Sequence, residues 1–338
     1  MASQAAKPKV LCIGHINFAE KEWQSLKDVA ELVVVQSNNR KKFLAEAKSG
    51  AFDGAVAAFR SFTSASITGH FDSEILSALP STFHFLCQNG AGYDPIDVSA
   101  CTEAEVRVCN VPKIADDATG DTAMFLMLGA LRLFNPMLVS LREGDFKGSS
   151  PKLGNDPRGK KLGILGMGGI GRNIASKSKA FGMEIQYYNR KPLSEELSGG
   201  ATYVSFDELL ATSDILSLNL PLNKNTRHII STAEFEKMKP GIVVINTSRG
   251  PVMDEAALVV ALDEGKVRSA GMDVFEEEPK IHPGLVSNRV VILLPHVGTQ
   301  TLETQKAMEV FTIENVRRAV VEGRLEGLVP EQAGKGWD

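Results

Sequence analysis

The chain has 338 residues, 43% hydrophobic and 23% charged, an ordinary globular composition with enough length for two domains. A formal net charge of −4 gives no electrostatic case for nucleic acid or acidic membranes. Four cysteines, Cys12, Cys87, Cys101 and Cys109, form no CxxC pair and no metal-like cluster. Cys12, Cys87 and Cys109 lie in apolar, strand-like runs and are expected to be buried free thiols, which suits a reducing compartment. Met1 to Val10 has no apolar signal core, no window reaches transmembrane length, and the ending Gly336-Trp337-Asp338 is not a peroxisomal tripeptide. The expectation is a cytoplasmic protein.

The N-terminal part alternates apolar strands with helices. The strands are read at Val10–Ile13, Leu32–Val35, Gly54–Ala58, Phe83–Cys87 and Val106–Cys109. Glu20–Val29, Lys41–Lys48, Asp72–Leu79 and Ile96–Thr102 between them carry helical spacing. This alternation predicts a parallel sheet with both faces covered. A long helix is expected from about Asp116 to Leu141, so apolar around Met124–Leu128 that it must be buried between domains or against a second subunit. A polar loop over Lys147–Lys160 leads to a second alternating unit that starts at Leu162. Its further strands are expected at Met183–Tyr188, Ile215–Leu218, Ile242–Ile245, Ser269–Asp273 and Val290–Leu294. A last helix, Thr301 to Glu322, has the length to return to the first domain. Two α/β domains with a cleft between them follow, with ligands at the carboxyl ends of the strands.

The second unit opens on Leu162-Gly163-Ile164-Leu165-Gly166-Met167-Gly168-Gly169-Ile170-Gly171-Arg172. An apolar strand runs into spaced glycines and then a helix, the pattern that seats a dinucleotide. Gly166 permits the tight turn, Gly168 lets a pyrophosphate approach the backbone, and Gly171 lets helix and strand pack closely. Gly169 and Ile170 open the helix, whose unpaired N–H groups and dipole favour an anion. The next strand ends at Asn189-Arg190-Lys191. An NAD site usually has an Asp or Glu there for the ribose 2′-OH; here an Asn and two cations stand instead, and Arg190 is suited to grip a 2′-phosphate. NADP(H) is therefore expected over NAD(H).

Three segments place ionisable groups directly after an apolar strand: Asn246-Thr247-Ser248-Arg249-Gly250, Asp273-Val274-Phe275-Glu276-Glu277-Glu278-Pro279, and Pro295-His296-Val297-Gly298-Thr299. An Arg, a Glu and a His converging on a nicotinamide suit reduction of a 2-keto acid. Arg249 holds the carboxylate or the adjacent carbonyl, His296 donates a proton to the carbonyl oxygen, and a carboxylate favours the imidazolium. Chemistry alone does not choose among Glu276, Glu277 and Glu278, although the first two read as solvated. Arg249 is equally compatible with a structural salt bridge. His15 also closes a strand and ranks below His296, while His282 in its polar loop is expected to be exposed. In the first domain, Gln88-Asn89-Gly90-Ala91-Gly92-Tyr93-Asp94 offers either a backbone nest for a carboxylate or an ordinary glycine turn.

Taken together, these motifs resemble the D-isomer-specific 2-hydroxyacid dehydrogenases from about Val10 to Glu331. Within that family the run Cys87–Asp94 and the Pro295–Gln300 segment look most like fungal glyoxylate/hydroxypyruvate reductases. The resemblance implies two Rossmann-like or flavodoxin-like α/β domains with parallel sheets and an inter-domain cleft. It places a substrate-binding domain over 1–114 and 302–338, and a dinucleotide-binding domain over 115–301. It also implies a homodimer. By motif it makes Arg249 the substrate-orienting residue, Glu278 the histidine's partner and His296 the acid/base. Asp273 and Gly298 match nicotinamide-side positions. Pro221, Thr226 and Thr247 match the coenzyme site, and Thr122 matches a contact from the long helix. Asn89, Gly90, Ala91 and Gly92 match the loop whose amides hold the substrate carboxylate. The expected activity is NADPH-dependent reduction of glyoxylate, hydroxypyruvate or a related 2-keto acid. Phe146 stands where many relatives carry Trp, which leaves substrate size open. Pro295, where formate dehydrogenases carry Gln, argues against that activity. The rival reading is a dinucleotide-sensing binding protein of the corepressor type.

Overall fold

The structure, a computed structural model, describes residues 7–146 and 153–337. The chain divides into two compact units, Met1–Ala115 with Thr301–Asp338, and Asp116–Gln300. Part of the Lys147–Lys160 loop lies outside the described residues.

The first unit holds five strands: β1 (Lys9–Ile13), β2 (Glu31–Val34), β3 (Ala55–Arg60), β4 (Phe85–Gln88) and β5 (Arg107–Cys109). All pair in parallel, in the order β2-β1-β3-β4-β5. β1, β3 and β4 are buried on both faces, which is why they read as apolar runs, whereas the edge strand β2 is partly exposed. One face packs Leu11, Ile13, Phe43, Phe52, Ile75 and Leu86. The other packs Val10, Trp23, Phe59, Phe85 and Cys87 under Ile313, Val316 and Ala319 of the Leu302–Glu322 helix. The four cysteines are buried and unpaired.

The second unit holds β6 (Lys161–Leu165), β7 (Glu184–Tyr188), β8 (Thr202–Tyr203), β9 (Ile215–Leu218), β10 (Ile242–Asn246), β11 (Val267–Met272) and β12 (Val291–Leu293). Their order is β12-β11-β10-β9-β6-β7-β8, again all parallel. The winding reverses between β6 and β9, and this switch point is where open α/β sheets bind ligands. The two-residue edge strand β8 carries no apolar run and was not anticipated.

The long helix differs from expectation. It runs from Asp116 to Leu131, breaks, and resumes over Phe134–Arg142 at 79°. Pro136 has no N–H to continue the ladder, and its ring would clash with the carbonyl four residues back. Leu133 takes the turn at φ +52. The apolar face of the first segment is buried largely on its own unit's sheet, against Leu162, Ile164, Val243 and Ile245. Contact there is close: a Cβ on Gly271 would meet Leu126 Cβ at 2.7 Å. Among the described residues, no single helix is long and apolar enough to cross a membrane.

One buried carboxylate organises the first unit. Glu309, 2% exposed, accepts hydrogen bonds from the backbone N–H groups of Asn17 (2.9 Å), Phe18 (2.7 Å) and Ala19 (2.8 Å). Ala19 is the N-cap of the Glu20–Ser25 helix, so Glu309 satisfies the three N–H groups of the segment that leads into that helix and ties it to the Leu302–Glu322 helix. Glu309→Leu strands three donors and is expected to cost about 3 kcal/mol or more, with Glu309→Gln, which keeps one acceptor oxygen, costing less. Chemical denaturation measures both; equal stabilities for the two variants would contradict this anchoring role.

Candidate active site

The site is built at the carboxyl edge of the second sheet, where the loops after β6, β7, β9, β10, β11 and β12 emerge. After β6, Gly166 adopts φ +96 with its Cβ position 2.7 Å from the carbonyl oxygen of Asn219. Any side chain would collide with the loop after β9, so glycine is required on both counts. Gly171 would place a Cβ 2.4 Å from the Gly166 carbonyl oxygen, and Gly169 would place one 2.0 Å from Asp116 Oδ2. Gly168 is different: a Cβ there meets nothing within 4 Å. It is the N-cap of the Gly169–Lys179 helix and has no side chain with which to cap it. The result is an open cradle of backbone N–H groups at a helix N-terminus, the environment a pyrophosphate fits. Ile170 is half-buried in the helix's first turn.

Asn189, at the end of β7, accepts a hydrogen bond from Met167 N through Oδ1 at 2.7 Å. It therefore braces the glycine loop, and its backbone carbonyl accepts from Tyr203 Oη at 3.1 Å. Arg190 and Lys191 beyond it are exposed. Thr226 donates to the Pro221 carbonyl at 2.6 Å and accepts from Asn223 N at 2.9 Å, which closes the loop after β9. Thr122, in the Asp116–Leu131 helix, donates to the Ala118 carbonyl at 3.2 Å.

Two buried polar atoms at this edge have no partner: Asn219 Oδ1 and Thr247 Oγ1. Buried polar groups are normally satisfied, so these orphans mark where a polar ligand completes the structure. Together with the open Gly168 cradle, they show that the residues present fit a dinucleotide. Asn219 was not anticipated from the sequence. Its signal was the same as elsewhere, a polar residue directly after an apolar strand.

After β10, buried Asn246 shapes the turn: it accepts from Ser248 N (3.0 Å) and Ser248 Oγ (2.8 Å) and donates through Nδ2 to the Arg249 carbonyl (3.0 Å). Arg249 is half-buried and donates through Nη1 to the Ser248 carbonyl at 2.7 Å. A Cβ on Gly250 would lie 1.9 Å from the backbone carbon of Phe275. The loop bearing Arg249 thus rests, backbone on backbone, against the loop bearing Glu278.

The loops after β11 and β12 bring Glu278 and His296 together. His296 Nδ1 lies 2.8 Å from Glu278 Oε2, while Glu278 Oε1 accepts from Phe275 N at 2.9 Å. Burial works against ionisation of Glu278. The His296 hydrogen bond, the Phe275 N–H and the charges of His296 and Arg249 outweigh it, and the carboxyl is held below its usual range. His296 sits at φ +55, a left-handed conformation unusual for a non-glycine residue. Asp273 enforces it. The Asp273 carbonyl accepts from His296 N at 2.7 Å, and its carboxylate accepts from Val297 N (2.7 Å) and Gly298 N (2.8 Å). Asp273 is buried, and that burial pushes its carboxyl upward despite the two N–H bonds and the charge of His296.

Two expectations need correction. Glu276 is not solvated: its carboxylate lies 3.0 Å from His228 Nε2 and accepts from Glu255 N at 2.8 Å, and its own N–H donates to Glu255 Oε1 at 2.6 Å. The exchange ties the loop to the N-terminus of the Glu255–Asp263 helix, where acidic groups are favoured. His282 is half-buried, because its Nδ1 accepts from Gly284 N and caps the following turn of helix. Glu277 is exposed as expected, and His15 is exposed at the end of β1.

In the first unit, the loop after β4 is held through its carbonyls. Gly90 O accepts from Val111 N (2.9 Å) and Ala91 O from Asn110 Nδ2 (2.7 Å), while Asn89 N donates to Arg60 O (2.8 Å). Asn89 Oδ1 lies 3.4 Å from Thr312 Oγ1, and Gly92 is half-buried.

Comparison with known proteins places the chain in a family. The NAD binding domain of the D-isomer specific 2-hydroxyacid dehydrogenases matches residues 124–298. The chain is 54% identical to 4-methyl-2-oxopentanoate reductase A of Aspergillus oryzae, over 96% of this chain and 98% of that protein. It is 43% identical to glyoxylate reductase 1 of Saccharomyces cerevisiae, over 98% and 97%. A crystal structure of a glyoxylate reductase from Paecilomyes thermophila superposes with a TM-score of 0.94 at 51% identity, covering 96% of this chain and 99% of that one. The chain belongs to the D-isomer specific 2-hydroxyacid dehydrogenase family, with an NAD(P)-binding domain and the oxidoreductase chemistry of 2-oxo and 2-hydroxy acids.

Proposed function

We propose that this protein reduces small 2-oxo acids to D-2-hydroxy acids, preferring NADPH, with His296, Glu278 and Arg249 as its chemical groups. The observation that carries the reading is the 2.8 Å His296–Glu278 contact at the same sheet edge as the open Gly168 cradle. The Gly166–Gly171 loop would hold the pyrophosphate, with Asn189, Arg190 and Lys191 at the ribose and Pro221, Thr226, Thr122, Thr247, Asp273 and Gly298 lining the rest. When bound, the reduced nicotinamide supplies the hydride.

The protein's own groups do the remainder. Glu278 engages His296 Nδ1, fixes the ring and balances its positive charge, so Nε2 is the nitrogen that donates a proton to the substrate's carbonyl oxygen. Arg249 holds the substrate carboxylate or carbonyl by charge-assisted hydrogen bonds. The Asn89–Gly92 loop, whose Asn89 and Gly90 amides are taken by the Arg60 and Gln88 carbonyls, would hold the carboxylate through its remaining amides. Relatives named for glyoxylate and for 4-methyl-2-oxopentanoate make both acids, with hydroxypyruvate, the substrates to test. No NADPH oxidation with any of them would favour a dinucleotide-sensing binding protein instead.

His296→Gln is expected to lower kcat about 10²–10⁴-fold while retaining NADPH binding by fluorescence titration; wild-type turnover would refute the mechanism. Glu278→Gln should lower kcat, because the His296 ring loses the carboxylate that orients it and balances its charge. Because the Glu278 carboxyl is held below its usual range, it stabilises the fold above that range and less as pH falls through it. Wild type should therefore lose its thermal advantage over Glu278→Gln under acid.

The NADPH preference rests on the exposed Arg190 and Lys191 at a strand end without an acid. Arg190→Asp should weaken NADPH relative to NADH by about ten-fold or more, read from kcat/KM for the two coenzymes. An unchanged ratio would remove the assignment. A homodimer fits the exposed apolar residues Phe125, Phe134, Leu138 and Leu141, and a solution mass showing only monomer at micromolar concentration would exclude it.

A further inference from the structure

Arg60 ends β3 and Gln88 ends β4; the two are register partners on adjacent strands. Arg60 is 0% exposed and Gln88 is 1% exposed. Arg60 Nη1 donates to Gln88 Oε1 at 2.6 Å, whereas Arg60 Nε and Nη2 are buried with no hydrogen-bond partner. Desolvation by burial pushes the guanidinium down to about 10, against the charge of Asp94, so it stays cationic at neutral pH. A buried cation bonded only to a neutral amide is costly. A hydrophobic residue would fill the strand end more stably, so the charge calls for a role outside packing.

Its surroundings suggest that role. Arg60 O accepts from Asn89 N at 2.8 Å, which starts the loop after β4. Gln88 Nε2 lies 3.3 Å from the Cβ position of Gly90, so the Arg60–Gln88 pair abuts the loop directly. The Gly90 and Ala91 carbonyls are drawn to Val111 and Asn110, and the Asn89 and Gly90 amides to the Arg60 and Gln88 carbonyls, so an anion falls to the amides that follow in the loop.

We propose that Arg60 is a positioning residue for the substrate carboxylate: acting through Gln88, it orders the Asn89–Gly92 loop and supplies it with a permanent positive charge. The inference rests on the reading of that loop as the carboxylate site. The charge strengthens binding of an anionic substrate before and during reaction alike, and uniform binding of this kind appears in KM and not in kcat.

The test compares Arg60→Met, Arg60→Lys, Gln88→Glu and Asn110→Ala with glyoxylate as substrate and saturating NADPH. Arg60→Met removes the charge at similar volume. Gln88→Glu keeps Arg60 but neutralises it with a paired carboxylate, and so decides the matter if Arg60→Met does not fold. Asn110→Ala releases the loop without touching Arg60. The expected result is a KM raised about ten-fold in Arg60→Met and Gln88→Glu (~1.4 kcal/mol), kcat within two-fold of wild type, and most of the KM restored in Arg60→Lys. Unchanged KM in Gln88→Glu, or a loss confined to kcat, overturns the role of Arg60. If Asn110→Ala alone raises KM, the loop reading stands and the Arg60 inference falls. If no variant raises KM, both fall.

Discussion

The chemistry proposed for this protein depends on a left-handed residue held in place by a buried carboxylate. His296 occupies φ +55, where a non-glycine side chain sits at a cost of about 1–3 kcal/mol. Asp273 meets that cost by accepting hydrogen bonds from three successive N–H groups, one at its carbonyl and two at its carboxylate. The imidazole then has one direction in which to present Nδ1, and Glu278 is there to meet it. Asp273 reads from the sequence as a cofactor-side residue. The structure gives it this second duty, which burial makes possible: hydrogen bonds to a desolvated carboxylate are stronger than those made in water.

The supporting loops form a chain of direct contacts. Gly250 lies against the Phe275 backbone because no Cβ intervenes, so the Arg249 turn and the Glu278 turn cannot move independently without opening a void. Glu276 fastens the same loop from the other side to His228 and to the Glu255–Asp263 helix. Three acidic residues in a row therefore divide their work: Glu276 anchors, Glu277 faces solvent and Glu278 meets the histidine. The alternation follows the path of a short loop crossing the sheet edge, which composition does not specify.

Much of the architecture was legible. Apolar runs between amphipathic segments identify the strands, and that pattern holds for β1 to β7 and β9 to β12 to within a few residues, although the edge strand β2 is partly exposed. Gly166, Gly168 and Gly171 were separable by role, and the structure gives each a distinct physical reason: a left-handed turn, open space, and a backbone contact. What escaped the sequence depended on distant partners. The break at Leu133 was signalled by Pro136, but the apolar composition on both sides hid it. Glu309 looked like one acid on an amphipathic helix, although its three partners lie some 290 residues away.

By itself the sequence determined the local chemistry: which residues end strands, where glycine is obligatory, and where an acid expected beside a ribose gives way to Asn189 and Arg190. These follow from covalent geometry and side-chain type, which travel with the chain. Only the tertiary structure decided which of the polar groups at those strand ends are partnered and which are not. It gave Asn189 to the Met167 amide, Asp273 to the His296 loop and Glu276 to His228, and it left Asn219 Oδ1, Thr247 Oγ1 and two nitrogens of Arg60 without partners. Hydrogen bonding and desolvation are properties of the space around a group, and that space is assembled from segments far apart in sequence.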